Sequence, residues 1–325
     1  EEGRNMLRRA WPRVCAASAA ACAAAALGVY SRAQGIDKAK PDRLSRWEAR
    51  WASGQTRWHL PYVHPVLKRY LSILLPEEST ATQPAVLFPL CGTSTDLGVL
   101  ALRGHRVIGV EGVPLAVDQL LGAFGDEEPV RHRLPGLALR TSATEGAQGE
   151  RIGIEVIEGD FLGLSAESLR ALGLSLVEAV FDRGSLVAVT PQDRQAYCKV
   201  LSELVKPGGR ILLVSVEHDA FPDGRLGPPF QVKEDEVRQL FPGFDVRFLH
   251  REDQSAEFRE RGLSHFFEVA FLLTKRTNAA QVQSELEARL QDVALQASRK
   301  GEISLEIGNV RVTGPPRVTN VEVRG

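Results

Sequence analysis

Four short segments of this chain combine glycine, carboxylate and arginine at spacings that suit a small ligand held at the edge of a sheet. The first is Leu90-Cys91-Gly92-Thr93-Ser94-Thr95-Asp96, which follows the apolar run Ala85-Val86-Leu87-Phe88-Pro89. A lone glycine at a strand-to-helix junction permits one close backbone approach, whereas a pyrophosphate cradle needs G-x-G-x-x-G. The segment therefore fits a ligand without phosphates, or else an ordinary turn. About twenty residues later Val107-Ile108-Gly109-Val110-Glu111 ends on a carboxylate, where it can accept hydrogen bonds from both hydroxyls of a ribose. Gly159-Asp160-Phe161 sets an acid beside an aromatic, a pair that can address the amino group and one face of adenine. Asp182-Arg183-Gly184-Ser185 puts an arginine where a donor and an acceptor would meet, able to hold an anionic sulfur or a carboxylate by charge-assisted bonds. The competing reading there is an Asp182–Arg183 pair that only caps the strand.

These segments need a scaffold that brings strand ends together. Between Leu44 and Lys275 short apolar runs alternate with helical spacing, as in βα units around a mostly parallel sheet. The expected strands are Val86 to Leu90, Arg106 to Glu111, Ile152 to Glu158, Val177 to Asp182 and Arg210 to Val216, then Phe244 to His250 and His265 to Thr274. The last two, joined by the polar stretch Arg251 to Leu263, predict an antiparallel terminal pair. Helices are expected over Pro61 to Leu75 and Pro191 to Val205. The fold class is α/β, a three-layer Rossmann-like sandwich whose mostly parallel sheet has seven strands and an antiparallel terminal hairpin.

Three regions follow from composition. Residues 1–40 form an Ala- and Arg-rich extension with Arg8, Arg9 and Arg13, no acid between the sole methionine, Met6, and Asp37, and an apolar run from Val14 to Tyr30. Met6 is the expected translation start. The run reads as an Ala-rich extension, a targeting segment or a weak anchor, since 17 residues is short for a bilayer span. Residues 41–275 form the working domain. Residues 276–325 add an amphipathic helix, with Val282, Leu286, Leu290, Val293 and Ala297 at three- and four-residue steps, and a hairpin of Ile303, Leu305, Ile307 with Val318, Val321, Val323. That helix either lies on its own domain or pairs with a copy of itself; the expected state is otherwise a monomer. With 325 residues, 43% of them hydrophobic and a net charge of −1, the chain can bury a full core. It offers no general attraction for nucleic acid or anionic membrane. Cys15, Cys22, Cys91 and Cys198 show neither a disulfide framework nor a metal-ligand spacing, so a reducing compartment and no metal are expected.

The residues converge on a known family. Trp47-Glu48-Ala49-Arg50-Trp51, Gly54-Gln55-Thr56-Arg57-Trp58-His59, Phe88-Pro89-Leu90-Cys91-Gly92 and Gly104 to Glu111 are followed by Asp182-Arg183-Gly184-Ser185-Leu186-Val187-Ala188 and Gly227-Pro228-Pro229-Phe230. In this order, over roughly Leu44 to Lys275, they resemble the motifs of the thiopurine S-methyltransferase family, class I enzymes that use S-adenosyl-L-methionine and release S-adenosyl-L-homocysteine. The resemblance implies methyl transfer to the sulfur of small aromatic or heterocyclic thiols, an activity of xenobiotic metabolism in the cytoplasm; the N-terminal segment leaves a mitochondrial or membrane-tethered location as the alternative. It implies that Trp47, Trp51, Thr56 and Trp58 fold over the cofactor, that Leu90, Gly92 and Glu111 contact it, and that Gly159 and Asp160 lie beside its adenine. Arg183 would face the donor methyl, with help from Arg259 or its neighbour Arg261. Trp58, His59, Pro228 and Pro229 would line the acceptor pocket. Two residues depart from the family pattern: Thr93 stands where lysine is common, and Trp58 replaces the usual phenylalanine, which narrows the pocket. Rival readings are a halide or thiocyanate methyltransferase of the same fold, a nicotinamide-dependent oxidoreductase and a non-catalytic cofactor-binding protein.

Overall fold

The computed structural model describes residues 43–76, 84–127, 130 and 132–277, and the backbone of three strands beyond them. The N-terminal extension and the expected helix around Val282 to Ala297 lie outside the described residues. In the first unit the strands are β1 (Ala85–Pro89), β2 (Arg106–Glu111), β3 (Asp126–Glu127), β4 (His132–Leu134), β5 (Leu137–Glu145), β6 (Arg151–Gly159), β7 (Val177–Arg183), β8 (Val205–His218), β9 (Phe244–Asp253) and β10 (Phe266–Lys275). They form one sheet in the order β3-β5-β6-β2-β1-β7-β8-β10-β9, with β4 also paired to β5. Strands β6, β2, β1, β7 and β8 run parallel, and β10 lies antiparallel between β8 and β9.

All seven expected strands are present, but the sheet has ten. The additional three come from residues 126–145, where β5 pairs antiparallel with β6 over nine residues and carries β3 and β4. Leu137, Ala138 and Leu139 are buried in succession, and so are Thr141, Ser142 and Ala143, so both faces of β5 are covered and no alternation marks it.

The parallel core is likewise buried on both faces, which explains its unbroken apolar runs. Leu87, Ile108, Val180 and Leu213 point to one side and pack with Phe161, Leu169 and Tyr197. Val86, Phe88, Phe181 and Leu212 point to the other and pack with Val66, Leu67, Leu97 and Leu120. Helices cover the two sides: Pro65–Leu74, Thr95–Leu102 and Pro114–Phe124 on the second, Ala166–Ala171 and Arg194–Leu204 on the first. The helix expected from Pro61 starts at Pro65, because His64 caps it by accepting the Val66 N–H on Nδ1 at 3.3 Å, and proline suits the first helical position.

A second compact unit spans residues 276–325. Its expected hairpin is a three-stranded antiparallel meander of Ile303–Ile307, Val310–Gly314 and Asn320–Val323. Among the described residues no helix is long and apolar enough to cross a membrane.

Candidate active site

The carboxyl ends of β1, β2, β6 and β7 surround a cavity of about 530 Å³. This is the side of the sheet, and between β1 and β7 the switch point, at which open parallel sheets bind ligands. Leu90 follows β1 with a φ of 44°, in the left-handed region, and the chain turns again at Gly92 with φ 52°. A non-glycine residue held there stores strain of the kind found at ligand-binding turns. The turn is tied to β2 through Glu111: Gly92 N–H donates to Oε2 at 2.9 Å, and Val113 N–H donates to Oε1 at 2.8 Å. Each carboxylate oxygen therefore keeps acceptor capacity for a ligand hydroxyl. Burial pushes the Glu111 carboxyl upward, and the backbone N–H groups oppose that by favouring the charged form.

A lid of indoles covers this turn. The helix Arg43–Ala52 presents Trp47 and Trp51, and the chain returns through Trp58 and His59. Trp58 meets Trp47 edge-on at 5.4 Å and Trp51 at 6.2 Å, while Trp51 lies 4.9 Å from the His59 ring. Arg50 caps the group, 5.4 Å from the Trp47 centroid. The lid lies so close to the turn that a Cβ on Gly92 would sit 2.8 Å from His59 Nε2 and 3.2 Å from Trp51 Cζ2. His59 Nε2 is buried with no hydrogen-bond partner. Burial, with the Arg183 guanidinium, lowers its pKa to about 4, so the ring is neutral near pH 7.

At the end of β7 neighbouring side chains face opposite sides of the sheet. Asp182 turns into the protein, accepting the Leu186 N–H at 3.0 Å and the Tyr197 O–H at 2.7 Å, and burial pushes its pKa up to about 6. Arg183 turns into the cavity, and its Nη1 donates to the Trp58 carbonyl at 2.6 Å. The Asp182–Arg183 strand cap is therefore not made. Arg183 belongs to a buried polar floor. Glu268 is hydrogen-bonded by Gln254 at 2.9 Å and lies 3.4 Å from His64 Nε2; Asp96 accepts the His64 backbone N–H at 2.7 Å. Burial acts to raise Glu268, but its bond to His64 and the charge of Arg183 hold it below the usual range.

The cavity gathers most of the expected residues: Trp47, Trp51, Trp58 and His59 above, Leu90, Gly92, Glu111 and Asp160 at the turn side, and Arg183, Pro228 and Pro229 opposite. Thr56, Gly159 and Arg259 do not line it. Gly159 has a backbone role, since a Cβ there would meet the Gly136 carbonyl at 2.3 Å. Between the two arginines left open, Arg261 lines the cavity, its guanidinium 4.6 Å from the Phe258 centroid. Asp160 is engaged from two sides, Oδ1 by the Leu162 N–H at 3.1 Å and Oδ2 by Arg43 at 2.5 Å. The sequence reasoning missed Arg43, His64 and Glu268, and quoted Asp96 in its first segment without a role. Only His64 carried a signal, as the capping residue before Pro65.

Comparison with known proteins shows the family. The family model described as Thiopurine S-methyltransferase matches residues 43–276. A thiopurine S-methyltransferase of Aliivibrio fischeri (strain MJ11) is 36% identical over 229 residues, 70% of this chain and 97% of the relative. One from Pseudomonas fluorescens (strain SBW25) is 36% identical over 234 residues, 71% and 98% of the two chains. Among solved structures, a Synechocystis magnesium protoporphyrin IX methyltransferase with bound SAM aligns over 74% of this chain and 100% of its own, at 14% identity and a TM-score of 0.48.

Proposed function

Since the chain belongs to the thiopurine S-methyltransferase family, we propose that residues 41–275 transfer a methyl group from S-adenosyl-L-methionine to the sulfur of a small aromatic or heterocyclic thiol. The observation that carries the reading is one cavity with two different halves. A carboxylate-tied glycine turn under an indole lid meets an arginine-and-proline wall across Arg183. The residues present fit the cofactor: both Glu111 oxygens keep acceptor capacity at the cavity's turn side, and His59 Nε2 is a buried nitrogen with no partner in the lid above it.

The bound cofactor supplies a sulfonium methyl open to in-line displacement. Glu111 accepts hydrogen bonds from the ribose hydroxyls, and its ties to Gly92 and Val113 fix its oxygens for that task. Trp47, Trp51 and Trp58 exclude water, which strengthens every charge interaction beneath them. Arg183, steered by its bond to the Trp58 carbonyl, favours the thiolate form of the acceptor and aligns its sulfur. Aryl and heterocyclic thiols ionise readily, so electrostatic stabilisation serves in place of a dedicated base. Pro228 and Pro229 offer an apolar face to a flat ring.

The test is incubation of the purified chain with labelled methyl donor and a panel of heterocyclic thiols, aryl thiols, aliphatic thiols, iodide and thiocyanate. Labelled S-methyl products from the aromatic thiols are expected. Methylation of halide alone, or tight cofactor binding with no labelled product, overturns the reading.

A further inference from the structure

Pro228 and Pro229 carry no backbone N–H, so only their carbonyl oxygens can tie that stretch of cavity wall to the rest of the protein. The next residues are held conventionally: Phe230 N–H donates to the Val187 carbonyl at 2.6 Å, and Val232 N–H to the Val216 carbonyl at 3.0 Å. The Pro229 carbonyl instead faces Nε2 of His218 at 3.0 Å, and Nδ1 of the same ring faces the Asp219 carbonyl at 2.6 Å. Carbonyl oxygens only accept. A neutral imidazole has one N–H and satisfies one of these contacts, whereas an imidazolium satisfies both.

The His218 ring also lies parallel to Phe266, 5.6 Å away at 11°, and Phe266 stacks on Phe258 at 3.5 Å and 3°. Phe258, Phe266, Pro229 and Arg261 all line the cavity. One histidine outside the lining thus touches both walls of the acceptor half. We propose that His218 is a positioning residue for the acceptor pocket: its Nε2–H holds the Pro229 carbonyl while its ring stacks on Phe266, which clamps the Pro228-Pro229 wall against the Phe258–Phe266 wall. This rests on the acceptor pocket proposed above.

The charged groups around the ring are already paired. The Asp219 carboxylate accepts the His265 backbone N–H at 2.8 Å and lies 3.1 Å from its Nδ1. Glu217 pairs with Arg251 at 2.9 Å, and Arg225 sits 4.5 Å from the ring of Phe221, which itself lies 5.1 Å from His218. On β9, separated from β8 by β10, Asp253 accepts the Ser255 N–H at 2.9 Å. The backbone N–H of His218 donates to Gln231 Oε1 at 3.3 Å.

The experiment measures kcat and KM for pentafluorothiophenol, an acceptor that is already a thiolate, in the unaltered chain and in His218→Phe. Phenylalanine keeps the stack and removes both donors. His218→Phe should raise acceptor KM about tenfold as the bond to the wall is lost, while kcat and the affinity for S-adenosylhomocysteine hold. An unchanged KM, or a fall in kcat of the same size, overturns the clamp. A second readout needs no turnover: nitrogen-15 histidine spectra should show a protected ring N–H at Nε2 that vanishes in His218→Phe, and its absence from the unaltered chain also overturns it. If no acceptor is methylated at all, the proposed function fails by itself, and the histidine spectrum still decides the clamp.

Discussion

Replacing Gly92 by alanine tests whether the lid must close against the β1 turn. The φ of 52° at Gly92 costs an L side chain about 1–2 kcal/mol. The added Cβ would lie 2.8 Å from His59 Nε2, where ordinary contact begins at 3.4 Å, so the ring must withdraw by the difference, 0.6 Å. His59 cannot move alone, because Trp51 is buried against it and Trp58 packs on both. Gly104 is the control: its φ is 85°, and nothing lies within 4 Å of its would-be Cβ. Gly104→Ala should therefore lose about 1–2 kcal/mol of stability, a drop in Tm of about 2–8 °C for a domain of this size, and Gly92→Ala at least as much. Only Gly92→Ala should weaken S-adenosylhomocysteine binding, by roughly 10- to 100-fold, the scale of a sub-ångström to one-ångström misplacement in a site. Thermal unfolding and titration calorimetry on the two variants read these quantities. Unchanged affinity in Gly92→Ala, or equal losses of affinity in both variants, refutes the packing argument.

Three further outcomes are expected. Arg183→Gln should lower kcat/KM for an aryl thiolate by about 10- to 100-fold, the worth of a charge-assisted bond, with a smaller change in cofactor affinity; steady-state kinetics beside calorimetry decide it. Arg261→Ala should raise acceptor KM, whereas Arg259→Ala, outside the cavity, should leave it within about twofold, as initial rates with a single thiol will show. Asp182 has its pKa raised by burial from 3.8 to about 6, so the native state binds its proton more tightly than the unfolded chain. The resulting stability is full below the unfolded value and is lost as pH rises through the folded one, an effect of about 3 kcal/mol. Asp182→Asn should remove that slope between these pH values, which denaturant unfolding at several pH values measures.

Strands β1, β2, β7, β8 and β10 were legible because they are largely buried on both faces and carry apolar runs, whereas β6 is only partly buried and the largely exposed β9 shows instead the alternation of Phe244, Val246 and Phe248. β5 was not, because it buries small and polar groups: Ser142 is fully buried, its hydroxyl donating to the Leu121 carbonyl, and a strand stabilised this way looks like a polar loop. The turn residues Leu90, Gly92 and Glu111 were legible from spacing along the chain, since a βα unit brings consecutive strand ends together. Residues that reach the cavity from afar were not. Arg43 meets Asp160 across 117 positions, and Glu268 meets His64 from the last strand of the sheet. Arg259 and Arg261 sit two apart in one turn of 3₁₀ helix, so only the three-dimensional path of that turn separates them.

One buried thiol shares the cavity with the acceptor. A cavity that holds an electrophilic methyl donor must keep its own sulfur out of the reaction, and Cys91 lines the turn directly beside Gly92. Thiolate, not thiol, is the reactive form. Burial pushes the Cys91 thiol far up, and the charge of Glu111 pushes it further, so the sulfur stays protonated near pH 7. Gly109 lets that thiol pack inward, since a Cβ on β2 would come within 2.8 Å of Sγ. Glu111 therefore serves two ends on the proposed reading, holding the ribose and keeping the nearest protein sulfur inert, while Arg183 on the opposite side favours the anion of the acceptor alone. The selectivity between two sulfurs in one cavity then comes from the sign of the charge beside each.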